Sequence, residues 1–110
     1  MGKVILIQSE TLNGGDNTVG TLMVANFLRL LGNSEKKPEK LILWNTGVKL
    51  ACEGSRVMEY MKELEEKGVE ILACTTCLEY FDLTGKQLVG KPTTMAKSIE
   101  VMMNKDVVSL

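Results

Sequence analysis

Four short apolar runs, at residues 4–7, 41–44, 69–73 and 107–110, constrain this chain more than any other feature. They are continuous rather than alternating, which is the pattern of strands covered on both faces, as in a parallel sheet flanked by helices. The intervals between them are long enough for crossover connections. Parallel neighbours need such connections, and they are right-handed in nearly all cases.

The intervals carry helical periodicity. Asp16 or Asn17 is placed to cap a first helix, with Val19, Leu22, Met23, Phe27, Leu30 and Leu31 as its apolar stripe and Gly32 as its end. Ser55 is placed to cap a second, with Val57, Tyr60, Met61 and Leu64 facing inward, a Glu63–Lys67 pair at i, i+4, and Lys67-Gly68 closing it. Leu78, Tyr80, Phe81 and Leu83 predict a short helix broken by Thr84-Gly85, and Gly90-Lys91-Pro92 reads as a further turn. Met95, Ala96, Ile99, Met102 and Met103 recur at helical spacing before the last run, a stripe expected in the core because Met fills irregular gaps. The expected fold is a three-layer α/β/α sandwich with a mostly parallel sheet. With 110 residues and no linker or low-complexity stretch, residues 1–110 read as one domain.

Composition removes several functions. A formal net charge of −1 provides no electrostatic footprint for nucleic acid. The apolar run near the start is too short for a secretory signal or a membrane span, so a cytoplasmic protein with reduced thiols is expected. The absence of histidine excludes Ser-His and Cys-His catalysis within one chain. Three cysteines without histidine also fall short of a tetrahedral zinc set unless Glu79, Asp82 or another chain supplies a ligand, and no metal or cofactor is expected.

The chemistry-bearing motif is Cys74-Thr75-Thr76-Cys77, at a strand-to-helix junction. Two thiols at C-x-x-C spacing point to sulfur chemistry, and a helix starting near Thr75 would aim free N–H groups at them and lower a thiol pKa. Burial as a small hydrophobe is the alternative for either residue, and the preferred one for Cys52. In parallel sheets, ligands bind beyond the carboxyl ends of the strands. That places the loop from Gln8 to Asp16, with Ser9, Gly15 and Asp16, beside Asn45, Gly47 and Lys49 and beside the thiols. The Gly-rich loop feeds a helix N-terminus and suits an anion, but Gly14, Gly15 and Gly20 make neither a dinucleotide fingerprint nor a P-loop. A tight turn plus a cap accounts for it equally well. Cys74, rigidly placed at a strand end, is the expected reactive thiol, with Lys49 as a candidate thiolate partner.

Residues 6–12 with Gly15-Asp16, Asn45-Thr46-Gly47-Val48-Lys49-Leu50, Glu53-Gly54-Ser55, residues 68–78, and then Gly90 and Thr93-Thr94-Met95 together resemble the DsrE-like domain of YedF-type proteins. The likeness covers nearly the whole chain, with its blocks in the family's order. It implies a DsrE-like fold, a homotrimer or a multiple of it, and a sulfurtransferase or sulfur-carrier role. By position it implies that Cys74 accepts sulfane sulfur as a persulfide, with Cys77 as helper. YedF-type proteins are associated with selenium metabolism and commonly carry a TusA-like domain ahead of this one. Here the first strand is expected at Lys3, so the chain is read without it. A TusA-like domain or a cysteine desulfurase is the implied partner. The alternatives are an oligomeric small-anion-binding module and a C-x-x-C thiol oxidoreductase.

Overall fold

The computed structural model describes residues 2–12 and 15–110. Its elements run β1 (Lys3–Ile7), α1 (Asn17–Gly32), β2 (Lys40–Leu43), a 3-10 segment (Asn45–Ala51), α2 (Met58–Glu66), β3 (Glu70–Cys74), α3 (Thr75–Tyr80), β4 (Lys91–Thr93), α4 (Met95–Asn104) and β5 (Asp106–Ser109). The five strands form one sheet in the order β4-β3-β2-β1-β5, and every pair in it is parallel. Among the described residues no helix is long and apolar enough to cross a membrane.

Handedness decides which face each helix covers. From β1 to β4 the chain steps along the sheet in one direction, so right-handed crossovers lay α1, α2 and α3 on the same side. There Ile5, Ile7, Leu41, Leu43, Ile71 and Ala73 meet Val24 and Leu28 of α1, Met61 and Leu64 of α2, and Leu78 of α3. The return from β4 to β5 runs the other way and crosses the whole sheet on the opposite face. Val4, Leu6, Ile42 and Leu72 point to that side because successive strand residues alternate, and Val101 and Met102 of α4 pack on them. The result is the expected three-layer α/β/α architecture. Its second layer is thin: α4 is about 15 Å long, against about 19 Å across five strands.

The apolar stripes of α1 and α4 do not face as expected. Of the α1 residues expected inside, Val19, Leu22, Met23 and Leu30 are all about half exposed or more, while Phe27 and Leu31 pack only partly on the core. The sheet instead takes the row Gly20, Val24, Leu28 and Gly32, spaced at i, i+4. Small residues in that row bring the helix close: a Cβ on Gly20 would lie 3.0 Å from Thr11 Cβ and 3.1 Å from the Leu12 carbonyl oxygen. In α4 the inward row is Ser98, Val101 and Met102, and Met95, Ile99 and Met103 point out, Met103 being 79% exposed. The methionine stripe is therefore largely surface.

Two local expectations also change. The turn expected at Gly90-Lys91-Pro92 is the start of β4, which pairs Leu72 with Lys91, Ala73 with Pro92 and Cys74 with Thr93. Three residues with a Lys and a Pro carry no strand pattern, and proline is accommodated because β4 is an edge. The second helix begins at Met58 rather than beside Ser55, whose hydroxyl accepts from the Val57 N–H at 3.3 Å. Of its expected inward row Val57, Met61 and Leu64 are buried and Tyr60 only partly so, and the Glu63–Lys67 pair forms at 3.1 Å as expected. Asp16 caps α1, accepting from the Val19 N–H at 2.9 Å.

Glu70 ties three strands together where β3 begins. Its carboxylate pairs with Lys40, its register partner on β2, and with Lys91 of β4 at 3.0 Å. Hydrogen bonds from Lys40 and then Lys91 hold the carboxyl below the usual range. A carboxyl lowered in the folded state adds stability above its unfolded pKa of about 4.3, and that stability is lost as pH falls through the lower folded value. The side chain is 37% exposed, so solvent screens the pair. Glu70→Gln is expected to cost about 0.5–1 kcal/mol at pH 7, with the difference closing below about pH 4. Urea unfolding of both proteins at the two pH values measures it, and a pH-independent difference would remove the ionic account.

Candidate functional site

The site is built where β1, β2 and β3 end. Past β2, the Trp44 N–H still donates to the Ile7 carbonyl at 3.0 Å, and the chain then turns at Asn45 with φ 53°. Asn is one of the few residues that enters this left-handed region readily. The 3-10 segment that follows presses on the end of β1, where a Cβ on Gly47 would sit 2.5 Å from the Ile7 oxygen. Gly47 is thus required by backbone approach. The turn at Asn45 aims its N–H at Cys77, and the N···Sγ distance is 3.0 Å.

Cys74 is the last residue of β3 and the cap position of α3, in extended conformation, and it is 3% exposed within the main core. Cys77 lies one turn into α3 and is half-buried. The expectation that Cys74 is the accessible thiol is therefore corrected, because β3 sends it inward and the helical turn carries Cys77 to the surface. Burial pushes the Cys77 thiol above its ordinary value, the Asn45 N–H pulls it back, and the adjacent Cys74 thiol adds to the rise. The net shift is upward, opposite to the lowering expected from a helix start, and α3 is only six residues long. Cys52 packs as expected: it is 1% exposed, donates to the Val48 carbonyl at 3.2 Å, and is raised by burial and then by Glu53.

Between α1, the 3-10 segment, the start of α2 and the residues just after α3 opens a cavity of about 730 Å³, which neither Cys74 nor Cys77 lines. Of the sequence-derived candidates, Ser9 and Lys49 line it. Gly15, Asp16, Asn45 and Gly47 do not: Asp16 is the α1 cap, Asn45 serves Cys77, Gly47 packs on β1, and Gly15 is an exposed turn residue at φ 78°. Asn13 and Gly14 of the same loop lie outside the described residues. Among the described residues Lys49 makes no contact with either thiol of the pair. Its ammonium lies 4.7 Å from the Phe81 ring centre and 3.8 Å from the Glu10 carboxylate.

Sequence reasoning missed Glu10, Thr46, Arg56 and Phe81 as lining residues. Phe81 was legible in principle, because it follows Cys77 by four residues and so shares its helix face; its N–H donates to the Cys77 carbonyl at 3.1 Å. Thr46 links two loops, accepting from the Glu10 N–H at 3.1 Å and donating to Ser9 Oγ at 3.4 Å. No local pattern announces such a contact.

No family model matches the chain, and no curated protein matches it by sequence. Solved structures match over nearly its full length. The ychN protein from E. coli has a TM-score of 0.71 at 17% identity, covering 100% of both chains. MTH1491 from Methanobacterium thermoautotrophicum, a protein of unknown function, has a TM-score of 0.70 at 18% identity, covering 98% of this chain and 97% of that one. BT1422 from Bacteroides thetaiotaomicron, a conserved protein of unknown function, has a TM-score of 0.66 at 23% identity, covering 99% and 95%. The chain shares their fold.

Accessibility and charge fix the order of thiol reactivity. Brief iodoacetamide labelling followed by peptide mapping is expected to modify Cys77 first, with Cys74 and Cys52 protected in the folded chain. Because Cys77 is raised, its rate should climb about tenfold per pH unit through pH 7 to 8 and keep rising beyond the free-thiol value of about 8.5. Faster labelling of Cys74, or a Cys77 rate that levels off near pH 7, would contradict this geometry.

Proposed function

We propose that this protein is a persulfide sulfur carrier of the DsrE/YedF type, which accepts and relays sulfane sulfur, or its selenium counterpart, on Cys77 with Cys74 behind it. The observation that carries the reading is the pair itself: two adjacent thiols at the end of β3, the outer one half-buried and held by a backbone N–H donor. The DsrE-like sequence blocks support it. The resemblance assigns acceptance to Cys74, whereas exposure favours Cys77 as the receiving thiol and Cys74 as the one that resolves or tunes it.

The step is a displacement at sulfur. The Cys77 thiolate attacks the outer sulfur of a donor persulfide, the donor's S–S bond breaks, and the donor leaves as a thiolate. No general base is required once the thiolate has formed, and the Asn45 N–H stabilises that form. A TusA-like protein or a cysteine desulfurase is the proposed partner, in a cytoplasmic setting. Incubation with a cysteine desulfurase and cysteine is expected to add about 32 Da per transferred sulfur, with the adduct absent from Cys77→Ser. An adduct confined to Cys74 would return the acceptor role to that residue, and no adduct on any thiol would sink the carrier reading.

Self-association in threes or multiples of three belongs to the same proposal. Leu22, Met23 and Leu30 on α1, Ile99 and Met103 on α4, and Val107 and Val108 on the edge strand β5 leave apolar surface on both sides of one sheet edge. A second copy is the occupant that covers such a surface in an oligomer. Light scattering at micromolar concentration is expected to give a trimer or hexamer, and Leu22→Glu with Met103→Glu a smaller species. A wild-type monomer would remove this element of the proposal.

A further inference from the structure

The cavity has a chemical character of its own. Its walls carry two cations, Lys49 and Arg56, two carboxylates, Glu10 and Glu53, and the N-terminal residue of α1, Asn17. Its volume of about 730 Å³ falls within the span of about 300–1,000 Å³ typical of small-molecule sites. Charges of both signs facing one space favour a ligand that carries both signs itself, since a simple anion would meet the carboxylates and a simple cation the bases.

The charged groups are free to rebond. Arg56 and Glu53 make no ion pair among the described residues, and Lys49 is 3.8 Å from Glu10, too far for a direct hydrogen bond. The hydroxyls behind them are organised. Ser9 Oγ accepts from the Thr11 N–H at 3.1 Å and lies 3.2 Å from Thr11 Oγ1, while Thr46 Oγ1 donates to it at 3.4 Å. Cys52, although it lines the cavity, is occupied by its bond to Val48.

Cys77 does not itself line the cavity, but it is tied to two of the residues that do. Phe81, which forms one wall under the Lys49 ammonium, is four residues along the same helix face, about 5–6 Å away between Cβ atoms. Thr46, on another wall, directly follows the residue whose N–H holds Cys77. A ligand bound by its charged end in the cavity has to extend an arm past Phe81 or Thr46 to meet the sulfur.

We infer that the cavity is a binding site for a zwitterionic low-molecular-weight thiol, an amino-acid or short-peptide thiol, whose carboxylate pairs with Lys49 and Arg56, whose ammonium pairs with Glu10 and Glu53, and whose sulfur reaches Cys77. The sulfur-relay part of this inference rests on the carrier reading; the binding part does not. In its persulfide form, RS–SH, such a ligand donates sulfur directly. The Cys77 thiolate forms a bond to the outer sulfur, the RS–S bond breaks with its electron pair going to RS⁻, and Cys77–S–SH remains, with no oxidant or reductant consumed.

Binding and transfer are measured separately. S-methylglutathione and S-methylcysteine, which cannot exchange, are titrated into the full chain and followed by amide shifts in NMR, with propionate and ethylamine as single-charge references. Saturable shifts at Thr46, Lys49, Arg56 and Phe81 are expected for both zwitterions, unchanged in Cys77→Ser. Lys49→Gln and Arg56→Gln should each weaken binding about tenfold. No saturation with either zwitterion, or equal binding of propionate, would overturn the inference. Glutathione persulfide is then added and the protein weighed. Binding without a mass gain would leave the cavity assignment standing and sink the carrier reading for small donors. A mass gain on Cys77 that neither Lys49→Gln nor Arg56→Gln slows would keep the carrier reading and overturn the cavity as the donor site.

Discussion

The parallel pairing of β1, β2 and β3 is the constraint on which the rest of the molecule depends. Ile7 lies beside Leu43 and Leu43 beside Ala73, so the three strands end together. That coincidence brings the loop after β2 into hydrogen-bonding range of both the others, Thr46 with Ser9 and Asn45 with Cys77, although the partners are far apart in sequence. The ladder is secured by burial: Leu41, Ile42 and Leu43 have no exposed surface. Truncating any of them to alanine removes apolar contact on a central strand, a loss of about 2–5 kcal/mol.

From that alignment the thiol geometry follows. Cys74, at the junction where β3 passes into α3, is buried in the main core beside Ala73 and Leu78, and the chain has only the first turn of α3 in which to bring a thiol outward. Cys77 occupies that turn. The partner that meets it comes from the next strand over, through the left-handed step at Asn45 and the close seat of Gly47 on Ile7. The thiol is held by backbone geometry, a form of support that side-chain substitution elsewhere in the site leaves in place.

What could be read from the sequence divides along physical lines. Short continuous apolar runs and the crossover rule were sufficient for the parallel sheet and three layers, because burial on both faces leaves a composition signal that survives without knowledge of neighbours. The faces of α1 and α4 were not legible. Each helix is apolar on more than one side, and the buried row is the one with glycine or serine, Gly20 against Thr11 and Leu12 and Gly32 against Glu63 and Leu64 in α1, not the row with the largest side chains. Strand β4 was invisible because Lys91-Pro92-Thr93 is defined only by the partner it finds in β3. In the site, the residue types drew attention to the right loops, yet Asn45 and Gly47 work through the backbone, and the cavity residues Arg56 and Thr46 are joined by tertiary contacts alone.

The balance at Cys77 sets how the outer thiol reacts. Burial keeps the thiol protonated at rest, while the Asn45 N–H favours the ionised form, and burial prevails. A thiol of higher pKa is the stronger nucleophile once ionised, though less of it is ionised at neutral pH. Any group that alters burial or charge near Cys77 therefore acts directly on its reactivity. The Lys49 ammonium lies over the Phe81 ring, which follows Cys77 by one helical turn, and faces Glu10 at 3.8 Å. Burial and nearby charge are the influences that set a thiol's pKa, and of these the burial of Cys77 and the Asn45 N–H are the opposing ones here.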